Sequence, residues 1–133
     1  WLQDRHPDHE GAGALVKHAM FLSGAKNFDA AGEPHTPGRL MYFPSHWIQE
    51  LNVFVDITDF YERKIEAAQC YKSQFFDPSS TEPATLLSRP HFFEDLDTRF
   101  KNFGLQIGVK YAEAYWISEK ISKDDPVAFF TAK

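Results

Sequence analysis

Apolar and polar positions alternate along this chain with periods that change from one stretch to the next. Ala12, Leu15, Val16, Ala19, Met20 and Phe21 recur at the three-and-four spacing of one helix face, with Gly24 behind them as a stop signal. That spacing predicts a helix over 10–23. Pro7 is expected to hold the segment before it out of helical geometry, which leaves His9 in a loop at the mouth of that helix. Gly32, Pro34, Pro37 and Gly38 punctuate 28–38 as a loop carrying His35. Arg39 to Phe43 reads as a short buried strand ending at Pro44, and 52–57 as a second, nearly continuous in apolarity, as strands covered on both faces are.

Asp59 and Glu62 have the spacing of a helix capping pair, and Phe60, Ile65, Ala68, Tyr71 and Phe75 continue it, predicting a helix over 59–74. Residues 77–89 read as a loop. Pro90 then opens a further helix at the position where a missing N–H costs nothing, with Phe93, Leu96, Phe100, Phe103 and Ile107 as its apolar face. The alternation over 110–117 favours a last strand. After Ile121 the tail is charged, then apolar up to Phe129 and Phe130, without a clear period. The resulting order of helices and strands is α/β, with a thin sheet for so apolar a chain.

Composition adds to this picture. With 133 residues, 43% of them hydrophobic and 25% charged, the chain fits a single domain with its own core. A net charge of -5 with scattered Lys and Arg gives no footprint for a phosphate backbone, so nucleic acid is not an expected partner. No apolar run approaches the roughly 20 residues that span a bilayer, and the first residues lack a secretion-signal pattern. The single cysteine, Cys70, falls in a helical pattern and is expected to be a buried free thiol. Thirteen phenylalanines point to a large core or to apolar surface covered by something else.

Candidate chemistry concentrates at Arg5-His6-Pro7-Asp8-His9. A hydrolytic zinc site takes three ligands from His, Asp or Glu plus a water that the metal acidifies to a pKa of about 7. Two imidazoles within four residues suit such a site. With Pro7 between them they need not serve the same role: one ligates while the other points at substrate. Asp8 then suits hydrogen bonding to an imidazole, fixing its tautomer and favouring its protonated form as an electrophile for an oxyanion. By spacing alone, a short His/Asp cluster is also compatible with an ordinary loop near a helix start.

The segment Arg5 to His9, with the small-residue helix start behind it, resembles the second signature of the LmbE/PIG-L family of zinc-dependent N-acetylglucosaminide deacetylases. Phe54 to Thr58, Lys64 to Ala67, Cys70 to Phe75, Phe103-Gly104 and Gly108 to Glu113 are similar to later segments of that family, and together the similar stretches span 5–117. The nearest branch is the one that deacetylates N-acetylglucosaminyl-malate on the way to bacillithiol. The resemblance implies the C-terminal part of a Rossmann-like three-layer α/β fold, a cytoplasmic setting, and homo-oligomers, often hexamers. It implies His9 as a zinc ligand and His6 as the oxyanion-stabilising catalytic imidazole with Asp8 as its carboxylate partner. Arg5, adjoining the motif, has the charge to bind a substrate carboxylate, although a surface ion pair is the commoner use of such a residue. The family's first signature, a His-Pro-Asp-Asp segment carrying the other two ligands and the general base, has no counterpart in these residues. The expectation is a C-terminal half that by itself neither holds zinc tightly nor turns over.

Other candidates have plain structural readings. His18 reads as a helix-surface residue, His46 and His91 show no partner in sequence, and Pro34 and Thr36 flank His35 where relatives carry basic side chains. Lys72-Ser73-Gln74 reads as a helix end, and Glu113 as a salt-bridge partner. Two rival functions stand beside the bacillithiol enzyme: a deacetylase of another sugar conjugate, and a non-catalytic α/β module docking a partner through its aromatic surface.

Overall fold

A computed structural model of the chain describes residues 4–44, 50–118, 120 and 124. His46 and the apolar tail with Phe129 and Phe130 lie outside the described residues. The elements in chain order are α1 (Pro7–Ser23), β1 (Val53–Asp56), a 3-10 turn (Thr58–Phe60), α2 (Tyr61–Gln69), a second 3-10 turn (Lys72–Gln74), α3 (Phe92–Ile107) and β2 (Ala112–Tyr115). Contacts gather these into two compact units, Trp1–Glu50 with Trp116–Lys133, and Leu51–Tyr115.

In the first unit, α1 begins three residues earlier than its apolar period predicts. Pro7 opens the helix at its first position rather than excluding it, because its fixed φ suits that position and its missing N–H has no intrahelical partner to lose. His9 therefore lies in the first helical turn, not in a loop. The expected face of α1 is present in sequence but not buried: Leu15, Val16 and Phe21 are exposed. Beyond Gly24 the chain folds back, and the His35 N–H donates to Ser23 O at 2.8 Å. The strand predicted over 39–43 is reduced to one antiparallel bridge, Tyr42 to Trp116, with N–H to O distances of 2.9 and 2.8 Å. Pro37 and Pro44 bracket that segment and supply no donors to a longer ladder. Tyr42 is buried there while Met41 and Phe43 are exposed.

The second unit holds a two-stranded antiparallel sheet in which Val53 faces Tyr115, Phe54 faces Ala114, Val55 faces Glu113 and Asp56 faces Ala112. α3 packs on this sheet, and Ile57, Tyr61, Phe100, Phe103, Tyr111, Ala112 and Ala114 form the core. β1 is not covered on both faces as its apolarity predicts; Val55 on its outer side is exposed. The predicted helix over 59–74 is broken into a 3-10 turn, α2 and another 3-10 turn. Asp59 and Glu62 do not form the expected capping pair. Asp56 takes the local role instead, its Oδ1 accepting the Thr58 N–H at 2.9 Å.

Pro90 lies just before His91, the residue that caps α3, so it precedes the helix rather than opening it. α3 ends on Gly108 at φ +74°, a left-handed conformation that glycine adopts without strain, and the Val109 N–H returns to Gly104 O at 2.9 Å. Gly104 is itself required by contact: a Cβ there would sit 2.6 Å from Val109 O and 2.8 Å from Lys110 O. Cys70 is exposed at the end of α2, correcting the buried thiol expected from its neighbours, and its Sγ donates to Glu66 O at 3.4 Å.

Candidate functional site

The first turn of α1 brings both histidines of the sequence motif to one place. One helical turn separates them, and their ring centroids lie 5.2 Å apart with planes 34° from parallel. The two imidazoles are held in opposite ways.

His6 is the cap of α1. Its backbone is extended, and its Nδ1 accepts the Asp8 N–H at 3.2 Å, taking one of the donors a helix start leaves unsatisfied. An imidazole nitrogen that accepts carries no hydrogen, so the ring hydrogen of His6 is on Nε2. The Asp8 carboxylate lies further from the ring than its own backbone N–H does. Its Oδ2 is 3.8 Å from His6 Nδ1, beyond hydrogen-bond distance, and its side chain is 86% exposed. What Asp8 contributes to His6 is its backbone N–H.

His9 is held by a residue that sequence reasoning passed over. Its Nδ1 lies 3.1 Å from Oδ1 of Asp4, whose side chain is only 2% exposed. The same Oδ1 accepts the His6 N–H at 2.9 Å, so it is an acceptor and the hydrogen of this bond belongs to His9 Nδ1. In the neutral ring the lone pair is then on Nε2. Asp4 is in turn tied to the helix, its own N–H donating to Glu10 Oε1 at 2.8 Å. The available signal in sequence was local: an Asp accepting the N–H two residues ahead is a common turn-forming arrangement, and Asp4 stands two residues before His6.

A cavity of about 350 Å³ opens beside these groups, with Asp4 and His9 at its polar end and Ala12, Val16 and the Leu40–Phe43 segment forming apolar walls. Arg5 is exposed next to the pair. Among the described residues, no three His, Cys, Asp or Glu side chains gather as a metal site. The donor chemistry fits a metal through one ligand, the His9 imidazole with its lone pair on Nε2, and no complete coordination set is found among the described residues.

The remaining candidates are elsewhere. Glu113 and Lys64 pair at 2.5 Å, and Tyr115 donates its hydroxyl to the same carboxylate, as its salt-bridge reading requires. Burial pushes the Glu113 carboxyl up, but the Lys64 and Tyr115 hydrogen bonds and the Lys64 charge outweigh it and hold the group below the usual carboxylate range. His91 is exposed and pairs with Glu94 at 3.2 Å. His18 and His35 line a separate cavity of about 370 Å³ behind the end of α1.

No family model matches the chain. It is 33% identical over 119 residues to a diacetylchitobiose deacetylase of Thermococcus kodakarensis, across 85% of this chain and 40% of that protein. In structure it is similar to a conserved protein from Thermus thermophilus, with a TM-score of 0.79 and 27% identity over 92% of this chain and 51% of the other. It is also similar to the N,N'-diacetylchitobiose deacetylase of Pyrococcus horikoshii, with a TM-score of 0.64 and 27% identity over 86% of this chain and 40% of the other. The chain shares the fold of these deacetylases. The α/β, LmbE-type architecture expected from sequence is thereby borne out. A 4-carboxy-2-hydroxymuconate hydratase of Pseudomonas putida, 17% identical with a TM-score of 0.66, has the same fold. The chain spans only about two fifths to one half of the length of these relatives.

Proposed function

We propose that the chain is part of a zinc-dependent deacetylase that hydrolyses the N-acetyl group of an N-acetylglucosamine conjugate, releasing acetate and a free amine. The observation that carries this reading is the contrast between two Nδ1 atoms one helical turn apart: that of His6 accepts the Asp8 N–H, and that of His9 faces the Asp4 carboxylate. An imidazole with its hydrogen on Nε2 donates to a developing oxyanion, and one with its lone pair on Nε2 ligates a metal. The similarity to deacetylases supports the pairing of these two roles in one site.

His9 would hold the zinc through Nε2, together with ligands from outside the described residues. The chemistry zinc supplies in such a site is Lewis acidity and an acidified water. His6, held through Nδ1 by the helix start, donates its Nε2–H to the carbonyl oxygen of the acetamide as negative charge builds there. Removing one donor of this kind costs about 10²–10³ in turnover. Asp8 orders the His6 ring through its backbone, and exposed Arg5 is positioned to meet an acidic group on the conjugate.

The aglycone is proposed to be malate, as in bacillithiol synthesis, on the strength of the sequence resemblance. The relatives named for diacetylchitobiose make that disaccharide the competing substrate. A cytoplasmic homo-oligomer belongs to the same reading: among the described residues no helix is long and apolar enough to cross a membrane, and exposed Leu15 and Phe21 offer apolar surface for a subunit contact.

The test uses the full-length protein that carries this sequence. His9→Ala is expected to lose most bound zinc, while His6→Ala keeps zinc and loses turnover. Equal zinc in wild type and His9→Ala overturns the ligand assignment. Deacetylation of N-acetylglucosaminyl-malate in preference to N,N'-diacetylchitobiose supports the malate reading; the reverse preference removes it.

A further inference from the structure

We propose that Asp4 is a positioning residue of this site, whose buried carboxylate takes the Nδ1 hydrogen of His9 and so makes Nε2 the ligating nitrogen. The inference rests on the reading of His9 as a metal ligand and deepens it by naming the group that sets its tautomer. Neither the sequence motif nor the resemblance assigns Asp4 a part; both direct attention to Asp8.

The geometry separates the two carboxylates. Asp8 is 86% exposed and 3.8 Å from the nearest imidazole nitrogen, where water and rotamer freedom compete with any contact. Asp4 has a side chain 2% exposed and meets His9 Nδ1 at 3.1 Å. A carboxylate so placed must be matched by donors, and Asp4 Oδ1 receives both the His6 N–H at 2.9 Å and the His9 Nδ1–H. One oxygen thus fixes the backbone of the first histidine and the ring of the second. The Asp4 N–H to Glu10 Oε1 bond then closes the arrangement onto α1, so the carboxylate is anchored to the helix whose first turn it orients.

A carboxylate on the far nitrogen of a ligating histidine does two things. It selects the tautomer and ring orientation before metal arrives, and it raises the basicity of the ligating nitrogen. Loss of such a partner costs about 10–100-fold in metal affinity. Asp4→Asn removes the charge with little change of volume, and its amide can also turn an N–H toward Nδ1, which would move the ring hydrogen to Nε2.

Long-range ¹H–¹⁵N correlation of the histidine rings in the metal-free, full-length protein reads the tautomer directly, with no variant needed. His9 with its hydrogen on Nδ1 is the expected result; hydrogen on Nε2 overturns the proposal. Titration with zinc ions alone should then give a dissociation constant about 10–100-fold weaker in Asp4→Asn than in wild type, with Asp8→Asn close to wild type. A folded Asp4→Asn protein with unchanged zinc affinity and tautomer overturns the positioning role. Failure of the underlying reading looks different, since zinc retained by His9→Ala removes the ligand assignment while the wild-type tautomer still reports the Asp4 contact.

Discussion

The ring of Tyr61 lies flat on that of Tyr111, with centroids 3.7 Å apart and planes 4° from parallel, and its hydroxyl donates to Asp97 Oδ1 at 2.9 Å. This contact joins the start of α2 to the segment entering β2, and Asp97 adds α3 to the same cluster. Phe100 meets Tyr61 edge-on at 5.9 Å. Tyr61→Ala should therefore cost about 3–5 kcal/mol of stability, as loss of a buried aromatic ring does. Tyr61→Phe keeps the ring and should cost only about 1 kcal/mol, the net value of a hydrogen bond. Urea unfolding of the two variants checks the ratio; similar losses would mean that the hydroxyl, not the ring, carries the contact.

Two glycines should respond to alanine with opposite signs. At Gly104 the new methyl would press on two backbone carbonyls, which cannot swing aside as a flexible side chain would, so a loss of about 1–3 kcal/mol is expected. Gly11, inside α1, has nothing within 4 Å of a Cβ. Gly11→Ala should gain about 0.5–1 kcal/mol through helix propensity. Thermal unfolding midpoints moving in opposite directions are the expected outcome.

His6 has a structural and a chemical part, and two substitutions separate them. His6→Ala loses the helix cap and should cost about 0.5–2 kcal/mol. His6→Asn restores a capping acceptor, so stability should return to near the wild-type value while turnover stays down by about 10²–10³. Turnover that recovered along with stability would show that capping, and not donation from Nε2, is what the residue supplies.

Tyr115 and Tyr61 set the alkaline limit. Burial first, then the Glu113 bond, pushes the Tyr115 hydroxyl up to about 12, and burial together with Asp97 raises Tyr61 as well. A raised folded-state value means that the contribution is fully present below the ordinary tyrosine value near 10 and is lost as pH rises through the folded one. Stability should fall between about pH 10 and 12, and Tyr115→Phe should flatten that fall. On the acid side, the Lys101 hydrogen bond chiefly holds Asp97 below the usual carboxylate range, so its contribution is fully present above the ordinary carboxylate value and is lost as pH falls from there through the lower folded one. Circular dichroism against pH reads both limbs.

The elements legible in the sequence were those with long, unambiguous periods. α3, with Phe100 and Phe103 on its buried face, appears within two residues of its predicted start, and 110–117 holds a strand as its alternation requires. Short signals failed where a single residue had two compatible readings. Pro7 reads as a breaker or an opener of a helix, and only the cap formed by His6 decides between them. The Arg39–Phe43 stretch has strand composition, but bracketing prolines leave it one bridge. At the candidate site the histidines were visible because the residue types are rare and close together. Asp4 was not, because its part depends on burial, and burial of an acidic side chain has no periodic signature.

The helix that starts at Pro7 also makes the site a matter of counting. His6 and His9 share one side because they stand three positions apart, about 60° short of a full turn at about 100° per residue. A one-residue deletion between them would leave two positions, about 200°, and put the second imidazole on the opposite side of the helix, where no choice of neighbouring side chain would restore its contact with Asp4. A one-residue insertion would leave four positions, about 40° past a full turn, with the second ring on the same side but turned by about 100° from its present place beside Asp4. The stretch from Asp4 to Glu10 should therefore tolerate almost no change in length.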